Sequence, residues 1–226
     1  MHKIGELNEN HLHAALKAWY ARPQDQVEVL IEGGYIIDVV RDGLLIEIQT
    51  GNFSGIKTKL ARIVTRHPLR LVYPIASEKW LFKLPRDGWD GPRRRKSPKR
   101  GRVEEVFSEL VSFPGLLRER NFSLEVVMIQ EEEVRRYEGK KYWYKNGWTT
   151  VKRKLLNVVE QHLFEQPEDF AAFLPLAIPS EFTTADIAAR LDMPRWLAQK
   201  MAYCLREMGT IVKVGKRGRA YLYRRA

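Results

Sequence analysis

Asp38, Glu47 and Gln49 place polar side chains inside stretches otherwise built from Ile, Val and Leu. Asp38 lies in Gly34-Tyr35-Ile36-Ile37-Asp38-Val39-Val40, and Glu47 and Gln49 lie in Leu44-Leu45-Ile46-Glu47-Ile48-Gln49-Thr50. Both stretches are β-branched and aliphatic and are separated by Arg41-Asp42-Gly43, so they are expected to form two strands of one hairpin. Side chains alternate along a strand, which puts Leu45, Glu47 and Gln49 on one face and Leu44, Ile46 and Ile48 on the other. Asp38 reaches the same end of the polar face. Burying two neighbouring carboxylates costs several kcal/mol unless a positive charge neutralises them. A hard divalent cation with oxygen ligands does so, and the pattern reads as a metal site.

The elements that must position these groups follow in order. A helix is expected over residues 6–20, with Leu12, Leu16 and Trp19 on one face and Pro23 closing it. Residues 27–31 read as the first strand, and Gly33-Gly34 turns the chain into the Asp38 strand. Residues 51–55 form a loop in which Ser54 is a candidate cap for a helix over 56–66 carrying Lys57, Lys59, Arg62 and Arg66. The apolar run 69–75 suits a central strand, and 80–84 is expected to pair nearby.

This order of helix, strand, strand with Asp, strand with Glu-x-Gln, helix and strand resembles the PD-(D/E)XK nuclease superfamily over roughly residues 1–84. The resemblance implies an α/β fold, a restriction-endonuclease-like mixed sheet flanked by helices. It further implies Mg²⁺ (or Mn²⁺) held by Asp38, Glu47 and the backbone carbonyl of Ile48, with Gln49 orienting the attacking water. Gln49 stands where the family usually has Lys, and Lys57 or Lys59 is expected to supply the missing charge, Lys57 being the candidate assigned. A Glu from the opening helix joins the metal cluster in many members, which makes Glu6 the candidate ahead of Glu9. His11 and His13 read as surface groups.

The chain has 226 residues, 44% hydrophobic, enough for a real core. Its 39 Lys plus Arg against 28 Asp plus Glu give a net charge of +11, and the pI near 9.8 points to a polyanionic partner, DNA first. The sequence lacks an apolar stretch of membrane-spanning length and a signal-peptide core, so no membrane association and a cytoplasmic or nuclear location are expected. A single cysteine, Cys204, has no internal disulfide partner. A Walker-type loop is absent, so any energy-driven step would need an ATPase or helicase partner. Cutting both strands of a duplex would call for two active sites, hence a homodimer.

Residues 85–102 lose the apolar pattern and include Arg93-Arg94-Arg95-Lys96, expected as a mobile basic loop tracking phosphates, with a solvated linker as the lesser alternative. A helix near 103–111 and a strand near 122–130 follow, and Asn146-Gly147 marks a hairpin turn between aromatic and basic runs that either stack on bases or pack on the core. Beyond this, a Thr-capped helix from 184 to 191, a second helix from 195 to 208 and two strands around Gly215-Lys216-Arg217-Gly218-Arg219 resemble a winged helix-turn-helix domain over residues 165–226. That resemblance implies Arg195, Gln199, Lys200 and Arg206 at the DNA groove and Lys213, Lys216, Arg217 and Arg219 on the wing. The expected organisation is thus a nuclease-like domain at 1–150 and a DNA-binding domain at 151–226. The expected function is metal-dependent DNA cleavage, with an inactive nuclease-like DNA-binding protein or scaffold as the alternative.

Overall fold

The computed structural model describes residues 11–85, 91–139 and 146–226. One mixed seven-stranded sheet forms its centre, in the order β1 (Gln26–Ile31), β2 (Tyr35–Arg41), β3 (Leu44–Ile48), β4 (Leu69–Lys83), β6 (Phe122–Tyr137), β7 (Trp148–Phe164), with β5 (Arg93–Lys96) beside β4. The β3–β4 and β4–β6 pairs are parallel and the others antiparallel. Parallel strands need a crossover, and α2 (Phe53–Ile63) supplies it between β3 and β4. Leu71 and Val126 join one buried cluster, while their chain neighbours Val72 and Val127 join another, so the sheet is covered on both faces. The face carrying Val72 packs against Leu12, Leu16 and Tyr20 of α1 (His11–Tyr20). The other packs against α2, α3 (Phe107–Leu110) and the carboxyl-terminal helices α4 (Thr184–Arg190) and α5 (Arg195–Met208). The coarse expectation of a mixed sheet flanked by helices therefore holds.

Several boundaries move for physical reasons. The helix expected from residue 56 begins at Phe53, because Asn52 takes a left-handed φ of 58° and Phe53 N–H is bonded by the Glu109 carboxylate at 3.0 Å; Ser54 is not the cap. Residues 69–75 and 80–84, expected as separate strands, are one strand, β4, with a register shift between Ala76 and Glu78. The loop expected at 85–102 contains β5, whose Arg93–Lys96 pair with Lys83–Trp80, so this basic run is anchored rather than mobile. Asn146 and Gly147 have φ of 50° and 81°, the positive values that an Asn-Gly turn supplies. The boundary expected after residue 150 falls two residues beyond the start of β7, which continues to Phe164. Glu6, Glu9 and the aromatic run at 142–144 lie outside the described residues.

After β7 the chain does not leave the core. Phe170 is fully buried, 4.5 Å from Phe164 of β7 and 6.2 Å from Phe107 of α3 between ring centroids. α4 opens with the expected Thr183 cap, whose hydroxyl accepts from Ala185 and Asp186 N–H while Asp186 bonds back to Thr183. α5 ends at Gly209, φ 83°, and β8 (Ile211–Arg217) pairs with β9 (Ala220–Arg225). Among the described residues no helix is long and apolar enough to cross a membrane. Because sheet and carboxyl-terminal helices share one core, Phe170→Ala is expected to cost about 3–5 kcal/mol. Thermal unfolding followed by circular dichroism should show one lowered transition, and two separated transitions would contradict a shared core.

Candidate functional site

Strands β2 and β3 part at the point where the acids stand. Their register ends at Val39↔Ile46, and past it the Asp38 carboxylate takes over the bonding. Its Oδ2 accepts from Ile48 N–H at 2.8 Å and lies 3.1 Å from His13 Nε2 on α1. Glu47, next along β3, shares the face of Leu45 and meets α2, where Lys59 Nζ donates to its Oε1 at 2.5 Å and to Ile36 O at 2.7 Å. Glu47 is 6% exposed, and its Oε2 is buried without a hydrogen-bond partner among the described residues. Burial, followed by repulsion from Asp38, pushes its carboxyl up to about 7 against the attraction of Lys59 and His13.

The structure thus assembles Asp38, Glu47, Lys59 and His13. Lys57 is exposed on α2, and the cation at Glu47 is Lys59, two residues along and on the face turned to the sheet. The side-chain amide of Gln49 donates to Gly51 O and, at 3.5 Å, to Asn52 O, so it braces the loop into α2. His13 was expected at the surface, and this is corrected: it is half-buried against Asp38. A signal was available in the sequence, since His13 lies seven positions after Glu6, the acid expected on this helix, and helical spacing puts both on one face. Among the described residues no three His, Cys, Asp or Glu side chains stand close enough to form a ready metal cluster.

The basic residues differ in their surroundings. Arg94 bonds Glu132 at 2.7 Å and lies 5.2 Å from the Trp80 ring centroid, and Lys96 bonds Glu78 at 2.8 Å and lies 5.0 Å from the same ring. Arg93 and Arg95 are exposed beside them. On α5, Arg195, Gln199, Tyr203 and Arg206 follow helical spacing along the outer face. With Arg219 and Tyr221 they line a cleft of ≈ 410 Å³. Lys200 departs from its expected role, because its Nζ turns inward to Ser108 O at 3.2 Å. Lys213 sits 3.6 Å and Lys216 5.6 Å from the Tyr221 ring centroid, and Arg217 reaches back to Asp186 at 3.5 Å.

The raised Glu47 carboxyl has a definite consequence for stability. The folded protein holds this proton more tightly than the unfolded chain, so metal-free stability is fully retained below about pH 4.5 and falls as pH rises toward about 7. Glu47→Gln should flatten that slope and raise stability at pH 8 by on the order of 1–3 kcal/mol. Urea unfolding at pH 5 and pH 8 measures it, and an unchanged slope in Glu47→Gln would contradict the assignment.

A family described as "Domain of unknown function (DUF8091)" matches residues 10–165, a stretch that ends one residue past β7. An uncharacterized protein of Treponema pallidum (strain Nichols) is 30% identical over 224 residues, covering 98% of this chain and 87% of the relative. No solved structure matches the chain. The paired acids where β2 and β3 part lie within the matched stretch, and the chain belongs to the DUF8091 family.

Proposed function

We propose that the protein is a metal-dependent DNA endonuclease with a restriction-endonuclease-like sheet, its DNA held by a carboxyl-terminal winged helix. The observation that carries this reading is the pair Asp38 and Glu47, on adjacent strands at the point of their divergence, with Glu47 Oε2 buried and lacking a hydrogen bond. An orphaned carboxylate oxygen beside a second carboxylate fits a hard cation, and Asp38, Glu47 and the Ile48 carbonyl would hold Mg²⁺ or Mn²⁺, with His13 orienting Asp38. When bound, the cation would supply Lewis acidity and offset charge on the attacked phosphodiester. Lys59 would fill the role left by Gln49 at the family's usual Lys position: it fixes Glu47 and adds a positive charge beside the reacting phosphate.

DNA would reach this site from the basic surfaces. The outer face of α5 with Arg195, Gln199 and Arg206 suits the major groove, and Lys216 and Arg219 on the β8–β9 hairpin suit the backbone. Arg93 and Arg95 on β5 occupy the edge of β4 that β3 also uses, and would track the same strand. The alternative, a DNA-binding protein that does not cut, draws on the Gln49 amide being spent on the Gly51 loop.

Supercoiled plasmid incubated with Mg²⁺ or Mn²⁺ tests the reading. Cleavage is expected, lost by at least about 10²-fold in Asp38→Ala and Glu47→Ala and reduced by about 10-fold or more in Lys59→Ala. Lys57→Ala should cut normally. DNA binding with no metal-dependent cutting, the same in Asp38→Ala, would replace this reading with the alternative.

A further inference from the structure

Residues 195–226 hold nine Lys and Arg against one acid, Glu207, an excess of eight within a chain total of +11. The positive charge of the molecule is therefore concentrated on α5 and the β8–β9 hairpin. Between these two elements lies the cleft of ≈ 410 Å³. Arg195, Gln199 and Arg219 on its rim are exposed, and among the described residues their side chains make no hydrogen bond or ion pair. Arg206, the other rim cation, is held by Glu207 at 2.5 Å. A polyanion would meet the first three without having to displace a carboxylate.

Two exposed aromatic rings line the same cleft from its two sides. Tyr203, 41% exposed, stands on α5 one helical turn after Gln199, and Tyr221, 45% exposed, stands on β9. The core does not need them, because the floor is closed by buried Tyr223, whose ring lies 6.3 Å from that of Phe182. Lys213 and Lys216 approach the Tyr221 ring to 3.6 and 5.6 Å, and neither lines the cleft, so the ring is braced from outside it. The Arg206 guanidinium lies 5.5 Å from the Tyr203 ring. Rings surrounded by cations disfavour a cationic ligand, and a neutral apolar one would leave the cations unused. A flat group that carries a phosphate uses both, by stacking on an aromatic face and by charge. The Gln199 amide, donor and acceptor at once, can bond the edge of any base. The volume falls among small-molecule sites of roughly 300–1,000 Å³, and a base pair stacked in a duplex does not enter it.

From this combination, and resting on the reading of the carboxyl-terminal module as DNA-binding, we infer that the cleft between α5 and the hairpin binds an unpaired nucleotide. Its base stacks on Tyr203 or Tyr221, and its phosphates meet Arg195 and Arg219. The module then prefers single-stranded DNA, and duplex laid on the outer face of α5 is the weaker mode.

Fluorescence anisotropy with the full chain, in EDTA, tests this against labelled oligo-dT, an abasic strand of the same length and a duplex of the same length. Oligo-dT is expected to bind about tenfold tighter than the abasic strand, which keeps the phosphates and lacks the bases, and tighter than the duplex. Tyr203→Ala and Tyr221→Ala should each lower the ratio of oligo-dT to abasic affinity by at least about fivefold. Tyr203→Phe and Tyr221→Phe should keep the ratio, because the ring and not the hydroxyl is used. Arg195→Ala should weaken both strands and leave the ratio as it is. Equal affinity for oligo-dT and the abasic strand, tighter binding of duplex than of oligo-dT, or a ratio that survives both alanine substitutions overturns the inference. Mg²⁺-dependent cleavage of plasmid separates it from the nuclease reading. A base-dependent gain without cleavage removes that reading and upholds the cleft, and cleavage without the gain does the reverse.

Discussion

Parallel pairing of β3, β4 and β6 requires that both faces of the sheet be covered, because the crossovers between parallel strands must pack somewhere. The rest of the molecule follows from that constraint. The crossover helix α2 lies on the face that carries Glu47 and delivers Lys59 to it. α1 covers the opposite face and delivers His13 to Asp38. The two acids thus take their partners from opposite sides of the sheet, Asp38 standing where β2 and β3 separate with its carboxylate bonded to the amide of Ile48. A continuous ladder at that position would have used the Ile48 amide in a backbone bond.

Coverage of the Glu47 face is completed by the carboxyl-terminal segment. Phe164, Phe170, Phe173 and Phe107 pack as one aromatic group, so α4, α5 and the β8–β9 hairpin are fixed to the sheet. Arg102 reinforces the joint by donating to Leu191 O at 2.6 Å. The inward turn of Lys200 belongs to the same joint. α1 is held with equal care: Tyr20 donates to buried Glu125, which also accepts from Gln161, and Arg41 donates to Tyr20 O at 2.6 Å. Burial and the Glu125 carboxylate push the Tyr20 hydroxyl upward, so it stays a donor.

Charge is distributed with two purposes. In β6, Glu131, Glu132 and Glu133 are buried and are matched by Lys79, Arg153, Arg94, Lys154 and Arg135, which makes the far half of the sheet an ionic layer. Arg135 and the Thr150 hydroxyl hold the Glu133 carboxyl down to about 2 against its burial. Much of the net positive charge is therefore not committed to these pairs, and on α5 it is carried by Arg195 on the outer face. Pairing in the sheet and exposure on α5 separate cations neutralised by carboxylates from a cation that faces solvent.

The residue pattern by itself determined the elements and the acids. Alternating and continuous apolar runs marked β1 to β4, the Thr183 cap and Gly209 bounded α4 and α5, and carboxylates among Ile and Leu marked Asp38 and Glu47, because these signals are local. What lay outside local signals was decided by tertiary structure. Lys57 and Lys59 are equivalent in composition, and only the packing of α2 on β3 turns Lys59 to Glu47. The joining of 69–83 into one strand, the anchoring of Arg93–Lys96 and the extension of the sheet to Phe164 depend on partners 10 to 53 residues away in the chain. Helical spacing put His13 on the face of the expected acid, but its partner Asp38, 25 residues on, was decided by α1 lying across the sheet.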